Sequence, residues 1–221
     1  EDINKFINEI KLDDDIYSFV IYGEEYDYLT GYEDSSSIYY DNYNDVHYIH
    51  IQHFGYTTYG EFRNVINTIE NKEESILVLD LRDNFGGMTD SANDILDTLL
   101  PNCATSFLID RDGYMNTYYS GESSIKFKKI YIFVNENTAS SAELLTLGLK
   151  KYLSNVSIIG TQTFGKGVGQ TIFDSKEKKC MIYLVNFYWN VKETNVTNTR
   201  IIPDIYVDSN NVEDYIKKIK L

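Results

Sequence analysis

Ser140 stands where a serine can either cap a helix or attack a carbonyl group. It opens a helical apolar pattern and follows the apolar run of residues 130–134, which we interpret as a buried strand. A serine at a helix start commonly accepts a hydrogen bond from an otherwise unpaired backbone N–H. The positive helix end and nearby N–H groups can also stabilise the oxyanion that forms when a serine attacks an acyl group. Both roles are open for Ser140 taken by itself.

The three histidines are weak candidates for the base that a serine nucleophile requires. His47, His50 and His53 lie on one run that alternates like a strand. Alternation places His47 and His53 on one face and His50 on the other. Their i, i+3, i+6 spacing is not typical of metal ligands. We therefore interpret the three histidines as strand surface.

Lys166 is a stronger candidate for the base. It lies between two glycines in TFGKG (residues 163–167), just beyond a predicted strand, which favours a side chain that projects into a cleft. A lysine acts as a base only when neutral, and its usual pKa is about 10.4. Burial would have to lower this pKa by roughly three units, a cost of about 4 kcal/mol. Gln170 could orient the amine, although Gly-Lys-Gly alone could also be an ordinary turn.

A second glycine-containing turn, NFGG at residues 84–87, follows the apolar run at 76–81. A continuous run of this kind predicts a strand buried on both faces. Catalytic groups of α/β proteins gather at the carboxyl ends of such strands, so this turn is expected near Ser140. Because glycine lets the backbone approach a substrate closely, Gly86 or Gly87 could supply an N–H to an oxyanion.

The rest of the pattern predicts strands that alternate with helices. Thr58 followed by Glu61 resembles a capping box at a helix start, and RDG at 111–113 predicts a hairpin. Helical spacing is found at 3–10, 58–69, 92–99, 140–153 and 212–219, and further strand-like runs at 47–54, 156–159 and 181–189. The alternation predicts an α/β fold with a mainly parallel sheet, flanking helices and added hairpins.

The composition argues against several classes of partner. The net charge is −14, and the lysine clusters at 126–129 and 217–220 are short, so no nucleic-acid partner is expected. No apolar window of about 18 residues occurs, so we expect no membrane span. Cys103 and Cys180 could form a disulfide or remain thiols, and neither has a metal-ligand spacing. No metal or other cofactor is expected.

Four segments of the chain occur together in one known family. They are DLRDNFGG at residues 80–87, NTASSAE at 137–143, GTQTFGKG at 160–167 and IPD at 202–204. In this order and at this spacing they resemble the C-terminal processing (tail-specific) peptidases of family S41. The resemblance covers roughly residues 46–221.

This resemblance implies a ClpP/crotonase-like core and a serine endopeptidase that cleaves protein or peptide substrates near their C-termini. Ser140 matches the family nucleophile, Lys166 its general base, and Gln170 the residue that orients the lysine. Lys166 would take the Ser140 proton, and an acyl-enzyme would form and then be hydrolysed. The oxyanion would be bound by backbone N–H groups, those of Ser141 and of Gly86 or Gly87.

The sequence also departs from the family. Residues 1–45 lack the glycine-rich carboxylate-binding loop of the PDZ domain that precedes the core in many relatives. We therefore predict an N-terminal extension over 1–45 and a catalytic domain over 46–221. Ser141 is adjacent to Ser140, and we assign Ser140 because it keeps the family's three-residue distance to Glu143. The spacing from Glu143 to Lys166 is one residue longer than in relatives, which we attribute to the loop at 151–155.

The main alternative is a non-catalytic peptide-binding module, or a form that is inactive without a missing regulatory domain. The joint presence of Ser140, Lys166 and Gln170 favours the enzyme. A crotonase-like acyl-CoA enzyme would need no such lysine, and tricorn-type relatives use a histidine base. Because many family members act outside the cytoplasm, we expect a secreted or cell-surface protein. The start at Glu1, with neither an initiator Met nor a signal peptide, predicts a chain that was either processed or trimmed.

Overall fold

The computed structural model describes residues 3–30, 36–197 and 199–220. The chain divides into two compact units. The first combines Glu1–Ser35, Ile109–Tyr114 and Val168–Tyr188, and the second contains Ser36–Leu108, Met115–Gly167 and Trp189–Leu221. The N-terminal extension predicted over 1–45 includes residues 1, 2 and 31–35, which lie outside the described residues. The predicted domain boundary at residue 46 stays a prediction.

The described residues form helices and strands that alternate along most of the chain. In order they are α1 (Ile3–Ile10), β1 (Phe19–Tyr22), α2 (Glu24–Thr30), β2 (Ile38–Tyr43), β3 (Val46–Ile51), α3 (Thr58–Thr68), β4 (Ile76–Asp80), α4 (Thr89–Leu99), β5 (Cys103–Asp110), β6 (Met115–Ser120), β7 (Lys129–Val134), α5 (Ser141–Tyr152), β8 (Val156–Gly160), β9 (Val168–Ser175), β10 (Cys180–Asn190), β11 (Ile205–Tyr206) and α6 (Val212–Ile216).

The second unit is built on a six-stranded sheet in the order β11-β8-β7-β4-β3-β2. The pairings β11–β8, β8–β7, β7–β4 and β4–β3 are parallel, and β2 joins β3 antiparallel. All five residues of β4 are buried, as its continuous apolar run predicts. Because β4 and β7 are parallel neighbours, their carboxyl ends lie at the same edge of the sheet.

Both faces of this sheet are covered. Alternate strand residues such as Leu79 and Ile132 join a core that also holds Phe62, Ile95 and Leu145, one each from α3, α4 and α5. Their neighbours along the strands pack on the other face into a smaller cluster with Tyr215 of α6. Burying a side chain of this size contributes about 1.5–3 kcal/mol. The central strands, and the turns that follow them, are therefore firmly held.

The first unit contains an antiparallel arrangement. β1 and β9 each pair with β10 in antiparallel orientation, and α1 buries Ile7 in a small cluster with Val20 and Cys180. The expected mainly parallel sheet is thus met only in part, because the fold is mixed α/β with two sheets. The short turn from β9 to β10 permits only antiparallel pairing, since a parallel pair needs a long crossover.

Two local predictions are wrong. Thr58 does not cap α3: the N-cap is Thr57, whose hydroxyl donates to Glu61 at 2.7 Å. The Thr58 hydroxyl instead accepts the Gly55 N–H. His47 is buried rather than on the strand surface.

The burial of His47 has a visible cause. The Tyr40 hydroxyl lies 2.9 Å from its Nδ1 atom, which gives the ring a polar partner. Burial lowers the pKa of His47 below its usual value.

The sequence left open whether the two cysteines form a disulfide. In the structure, Cys103 and Cys180 are both free thiols.

Candidate active site

Ser140 lies in a strained turn at the carboxyl end of β7. Its backbone angles are φ 55° and ψ −120°, and α5 begins at the next residue. A non-glycine residue in such a region costs about 1–3 kcal/mol, which the surrounding structure must supply. Strained strand-to-helix turns of this kind present nucleophilic serines in α/β-hydrolases. We call residues 135–140 the β7 turn and residues 83–87 the β4 turn.

The β4 turn lies directly against Ser140. A Cβ atom on Gly86 would be 2.7 Å from the Ser140 Cβ and 3.0 Å from the Ser141 nitrogen. A Cβ on Gly87 would be 2.1 Å from the Phe54 carbonyl oxygen. Both glycines have positive φ, 99° and 137°. Only glycine fits either position, and the expected meeting of the two turns is confirmed.

Of the three backbone N–H groups predicted as oxyanion donors, those of Gly86, Gly87 and Ser141, only some lack a hydrogen-bond acceptor in the structure. Gly86 donates its N–H to the Asn84 side-chain oxygen at 2.8 Å, so this group is already engaged. Gly87 and Ser141, by contrast, donate no backbone N–H bond to any other described residue. These two N–H groups, one on each side of the junction, are available to an oxyanion.

Glu143 joins the β7 turn to the segment that carries Lys166. Its carboxylate is fully buried. One oxygen accepts the N–H groups of Ser140 at 3.0 Å and Lys166 at 2.8 Å. The other accepts the Thr163 hydroxyl at 2.6 Å and the Gly165 N–H at 2.8 Å. Burial raises the pKa of Glu143, and these four donors oppose that shift. The backbones of Ser140 and Lys166 are thereby bound to the same oxygen atom.

Lys166 is half-buried, and burial lowers its pKa below the usual lysine value. The direction of this shift is the one that a lysine base requires. The preceding Phe164 donates its N–H to the Thr138 carbonyl at 3.0 Å, a second link between the lysine segment and the β7 turn. Gln170 lies on β9 in the first unit, where its amide donates to the Tyr17 carbonyl at 2.7 Å. Its predicted role in orienting the lysine stays a prediction.

The adjacent serine has a different environment. Ser141 is fully buried, and its hydroxyl donates to the Gly87 carbonyl at 2.8 Å. Ser140 is 8% exposed and has the strained backbone. The Ser141 hydroxyl therefore ties the two turns together, which favours Ser140 as the nucleophile.

A buried ionic network holds the end of β4, directly before the β4 turn. The Asp80 carboxylate is fully buried and accepts three hydrogen bonds from the Arg82 side chain, two from Nε at 2.9 and 3.1 Å and one from Nη2 at 2.6 Å. It also accepts the Tyr48 hydroxyl at 2.6 Å. The Arg82 guanidinium lies 4.5 Å from the ring centroid of Tyr215. The end of β4 is thus anchored to β3 and to α6.

Sequence reasoning missed the parts played by Glu143 and Asn84. The Asn84 side chain is buried, donates to the Ile51 carbonyl at 2.8 Å, and accepts from Gly86. A signal for Glu143 was present, because Ser-x-x-Glu at a helix start is a capping-box pattern. Its further bonds to residues 163–166 had no local signal.

The described residues reveal no competing metal or membrane feature. Within residues 3–30, 36–197 and 199–220, no three His, Cys, Asp or Glu side chains are grouped so as to hold a metal ion. Over the same ranges, no helix has both the length and the apolar character needed to cross a bilayer.

Comparison with known proteins connects this geometry to one family. A carboxyl-terminal-processing protease of Synechocystis is 26% identical over 163 residues, which are 74% of this chain and 38% of that protein. The photosystem II D1 C-terminal processing protease matches with a TM-score of 0.64 at 22% identity, over 78% of this chain and 46% of that one. A lipoprotein from Streptococcus agalactiae matches with a TM-score of 0.71 at 23% identity, over 90% and 74% of the two chains.

The two structural matches show a shared fold, and the chain spans less than half of the Synechocystis relative. The model of Peptidase family S41 matches residues 45–207, most of the chain. Three of the four motifs seen in the sequence lie around the junction of Ser140, Gly86 and the Lys166 segment. This chain belongs to peptidase family S41.

Proposed function

We propose that this chain is the catalytic part of a serine endopeptidase that uses Ser140 as nucleophile and Lys166 as general base. The observation that carries the proposal is the strained Ser140 turn, whose backbone shares one Glu143 oxygen with the backbone of Lys166. A serine that only caps a helix needs neither a strained backbone nor a carboxylate that it shares with a lysine segment.

In the proposed reaction, the neutral amine of Lys166 takes the hydroxyl proton of Ser140 as the oxygen attacks the scissile carbonyl. The N–H groups of Gly87 and Ser141 stabilise the resulting oxyanion. Protonated Lys166 then gives its proton to the leaving amine, and an acyl-enzyme remains. Water, deprotonated by the same lysine, releases the acyl group. The half-buried position of Lys166 supports this scheme, because partial burial lowers its pKa and favours the neutral amine.

The finer features of the proposal come from the family. We propose a ClpP/crotonase-like catalytic domain over residues 46–221, Gln170 as the residue that orients Lys166, and cleavage near the C-termini of protein substrates. The Synechocystis relative is named for carboxyl-terminal processing, and one structural neighbour is a lipoprotein. The first name supports cleavage near C-termini, and the second supports an extracytoplasmic location.

The first experiment compares the cleavage of an unfolded protein by the unmodified chain, Ser140→Ala and Lys166→Ala. We expect cleavage to fall by about 10³-fold or more in both variants, because nucleophile and base act as a unit. Mass spectrometry of the fragments locates the cuts relative to the C-terminus. The matched control is Lys151→Ala, because Lys151 is an exposed lysine at the end of α5.

Labelling with a fluorophosphonate, which modifies activated serines, separates the two adjacent serines. Label on Ser140 in the unmodified chain, and its loss in Ser140→Ala, supports the assignment. Label on Ser141 contradicts it. A folded, unmodified chain that neither cleaves nor labels supports a non-catalytic module or a form that needs a further domain.

A further inference from the structure

Three polar side chains connect the β4 turn to the β7 turn on their exposed side. One Asp83 carboxylate oxygen accepts the side-chain N–H groups of Asn135 at 2.9 Å and Asn137 at 2.8 Å. In return, the Asp83 backbone N–H donates to the Asn135 side-chain oxygen at 2.9 Å. We call these three residues the Asp83 clasp.

The clasp acts across a long sequence separation, since Asp83 precedes its partners by 52 and 54 residues. It closes the start of both turns, while Gly87 and Ser140 lie at their far ends. Uncharged bonds also join the turns, from the Ala139 N–H to the Asn84 carbonyl at 2.9 Å and from the Thr138 hydroxyl to the Leu81 carbonyl at 2.8 Å. The clasp adds the bonds to a charged acceptor, which are roughly twice as strong as neutral ones.

Among the described residues, the Asp83 carboxylate accepts hydrogen bonds from the two clasp asparagines alone. The backbone of Asp83 is left-handed, with φ 59°, a conformation that Asn and Asp tolerate almost equally. The residue is exposed, so its side chain fills no core space. The pKa of Asp83 is lowered by the hydrogen bonds from Asn137 and Asn135, so the group is ionised at neutral pH.

We propose that Asp83, with Asn135 and Asn137, is a positioning residue that sets the distance between the Gly87 oxyanion donor and Ser140. This inference rests on the proposed peptidase function. The Asp83 side chain touches the β7 turn rather than the reacting atoms, so it acts through that turn. Small displacements matter here, since a shift of about 1 Å in catalytic geometry can cost about 100-fold in rate.

The test uses Asp83→Asn, Asn137→Asp and the double variant with both changes. Asp83→Asn keeps the backbone preference and one oxygen that accepts both N–H groups, so it removes only the charge of the acceptor. Asn137→Asp places two carboxylates together. The double variant exchanges donor and acceptor and restores the pair. We expect Asn137→Asp to lower kcat by about 10- to 100-fold with an almost unchanged KM, and Asp83→Asn to lower kcat by a smaller factor. The double variant should return to within about threefold of the unmodified chain.

Asp110→Asn is the matched control, because Asp110 is a turn carboxylate that accepts two N–H groups from its own hairpin. We expect it to leave kcat unchanged. The proposal is overturned if Asn137→Asp keeps full kcat. It is also overturned if the double variant is no better than the worse single variant, since pairing would then be irrelevant.

Hydrogen exchange gives a readout that does not depend on cleavage. Loss of the clasp should speed amide exchange at Gly86 by about tenfold, because the turn opens more often, and the double variant should slow it again. If exchange responds in this way while no form of the protein cleaves, the clasp stands and the peptidase proposal fails. Unchanged exchange and unchanged kcat in Asn137→Asp together reject the clasp.

Discussion

The β4 turn and the hairpin turn between β5 and β6 use the same residue types for different purposes. Each has a glycine at positive φ, 99° for Gly86 and 82° for Gly113. A Cβ on Gly113 would meet no heavy atom within 4 Å, whereas a Cβ on Gly86 would lie 2.7 Å from that of Ser140. The hairpin needs glycine at position 113 only because the backbone there has a positive φ. Gly86 also leaves room for a second segment of the chain.

The carboxylates of the two turns differ in the same way. Asp110 accepts the N–H groups of Asp112 and Tyr114, so it closes its own hairpin. Asp83 accepts side chains from the β7 turn instead. A local turn can be recognised from its sequence alone. A turn that is shaped to receive another segment carries long-range contacts, and such contacts are where a site is expected.

Gly86→Ala gives the largest effect that this comparison predicts. The added methyl group has no space beside Ser140 and Ser141, and alanine is strained at φ 99°. We expect the β4 turn to move and cleavage to fall by about 10³-fold, as when an oxyanion donor is lost. Steady-state kinetics, with circular dichroism to confirm folding, measures the change. Activity within tenfold of the unmodified chain would show that the close approach is unimportant.

Glu143→Gln tests the buried carboxylate that joins the β7 turn to the Lys166 segment. An amide nitrogen in place of either carboxylate oxygen would face two hydrogen-bond donors, and each donor left unpaired in the interior is costly. We expect the free energy of unfolding to fall by about 2–4 kcal/mol, with a further loss of kcat. Urea unfolding measures the first quantity.

Glu136→Gln is the control for that substitution. Glu136 is exposed in the β7 turn and accepts one hydroxyl, from Thr161 at 3.0 Å. We expect its free energy of unfolding to change by less than about 0.5 kcal/mol. Equal effects at positions 136 and 143 would contradict the special position of Glu143.

The contrast between local and long-range contacts also explains which features the sequence could predict. β4 and β7 were predictable because their continuous apolar runs are typical of strands covered on both faces. The meeting of Gly86 with Ser140 followed, since parallel neighbours end at one edge of a sheet. β9 was missed because most of its residues are partly or fully exposed and show no regular alternation.

The contacts inside the site were less predictable. The Ser-x-x-Glu spacing could indicate that Glu143 bonds to the Ser140 N–H. No local pattern could indicate that Thr163 and Gly165 donate to the same carboxylate, because they reach it through the fold. The burial of His47 likewise depends on Tyr40, which lies on the neighbouring strand.

The pH dependence separates Lys166 from an exposed lysine. Burial lowers the pKa of Lys166, whereas the hydrogen bond from Lys217 to Asp214 raises the pKa of Lys217. If the neutral Lys166 amine is the base, kcat should rise about tenfold per pH unit and level off below the usual lysine pKa of about 10.4. A pH profile of kcat measures this. A profile that levels off near pH 6 or rises through pH 10 would contradict the assignment.

The stability of the fold should change with pH in the same sense. Between the lowered folded pKa of Lys166 and its unfolded value, the unfolded chain binds a proton that the folded chain lacks. The free energy of unfolding therefore gains a contribution that rises with pH across this window. Lys166→Met should remove this slope, while Lys217→Met should not. Urea unfolding at several pH values measures both variants.

Gly113→Ala gives the smallest effect and sets the baseline for Gly86→Ala. The hairpin has space for the methyl group, so the only penalty is that of alanine at φ 82°. We expect the free energy of unfolding to fall by about 1 kcal/mol, with kcat unchanged, as measured by urea unfolding and steady-state kinetics. The comparison of the two alanine variants is informative because the backbone penalty is common to both. Any loss of kcat in Gly86→Ala beyond that of Gly113→Ala reports the contact with Ser140.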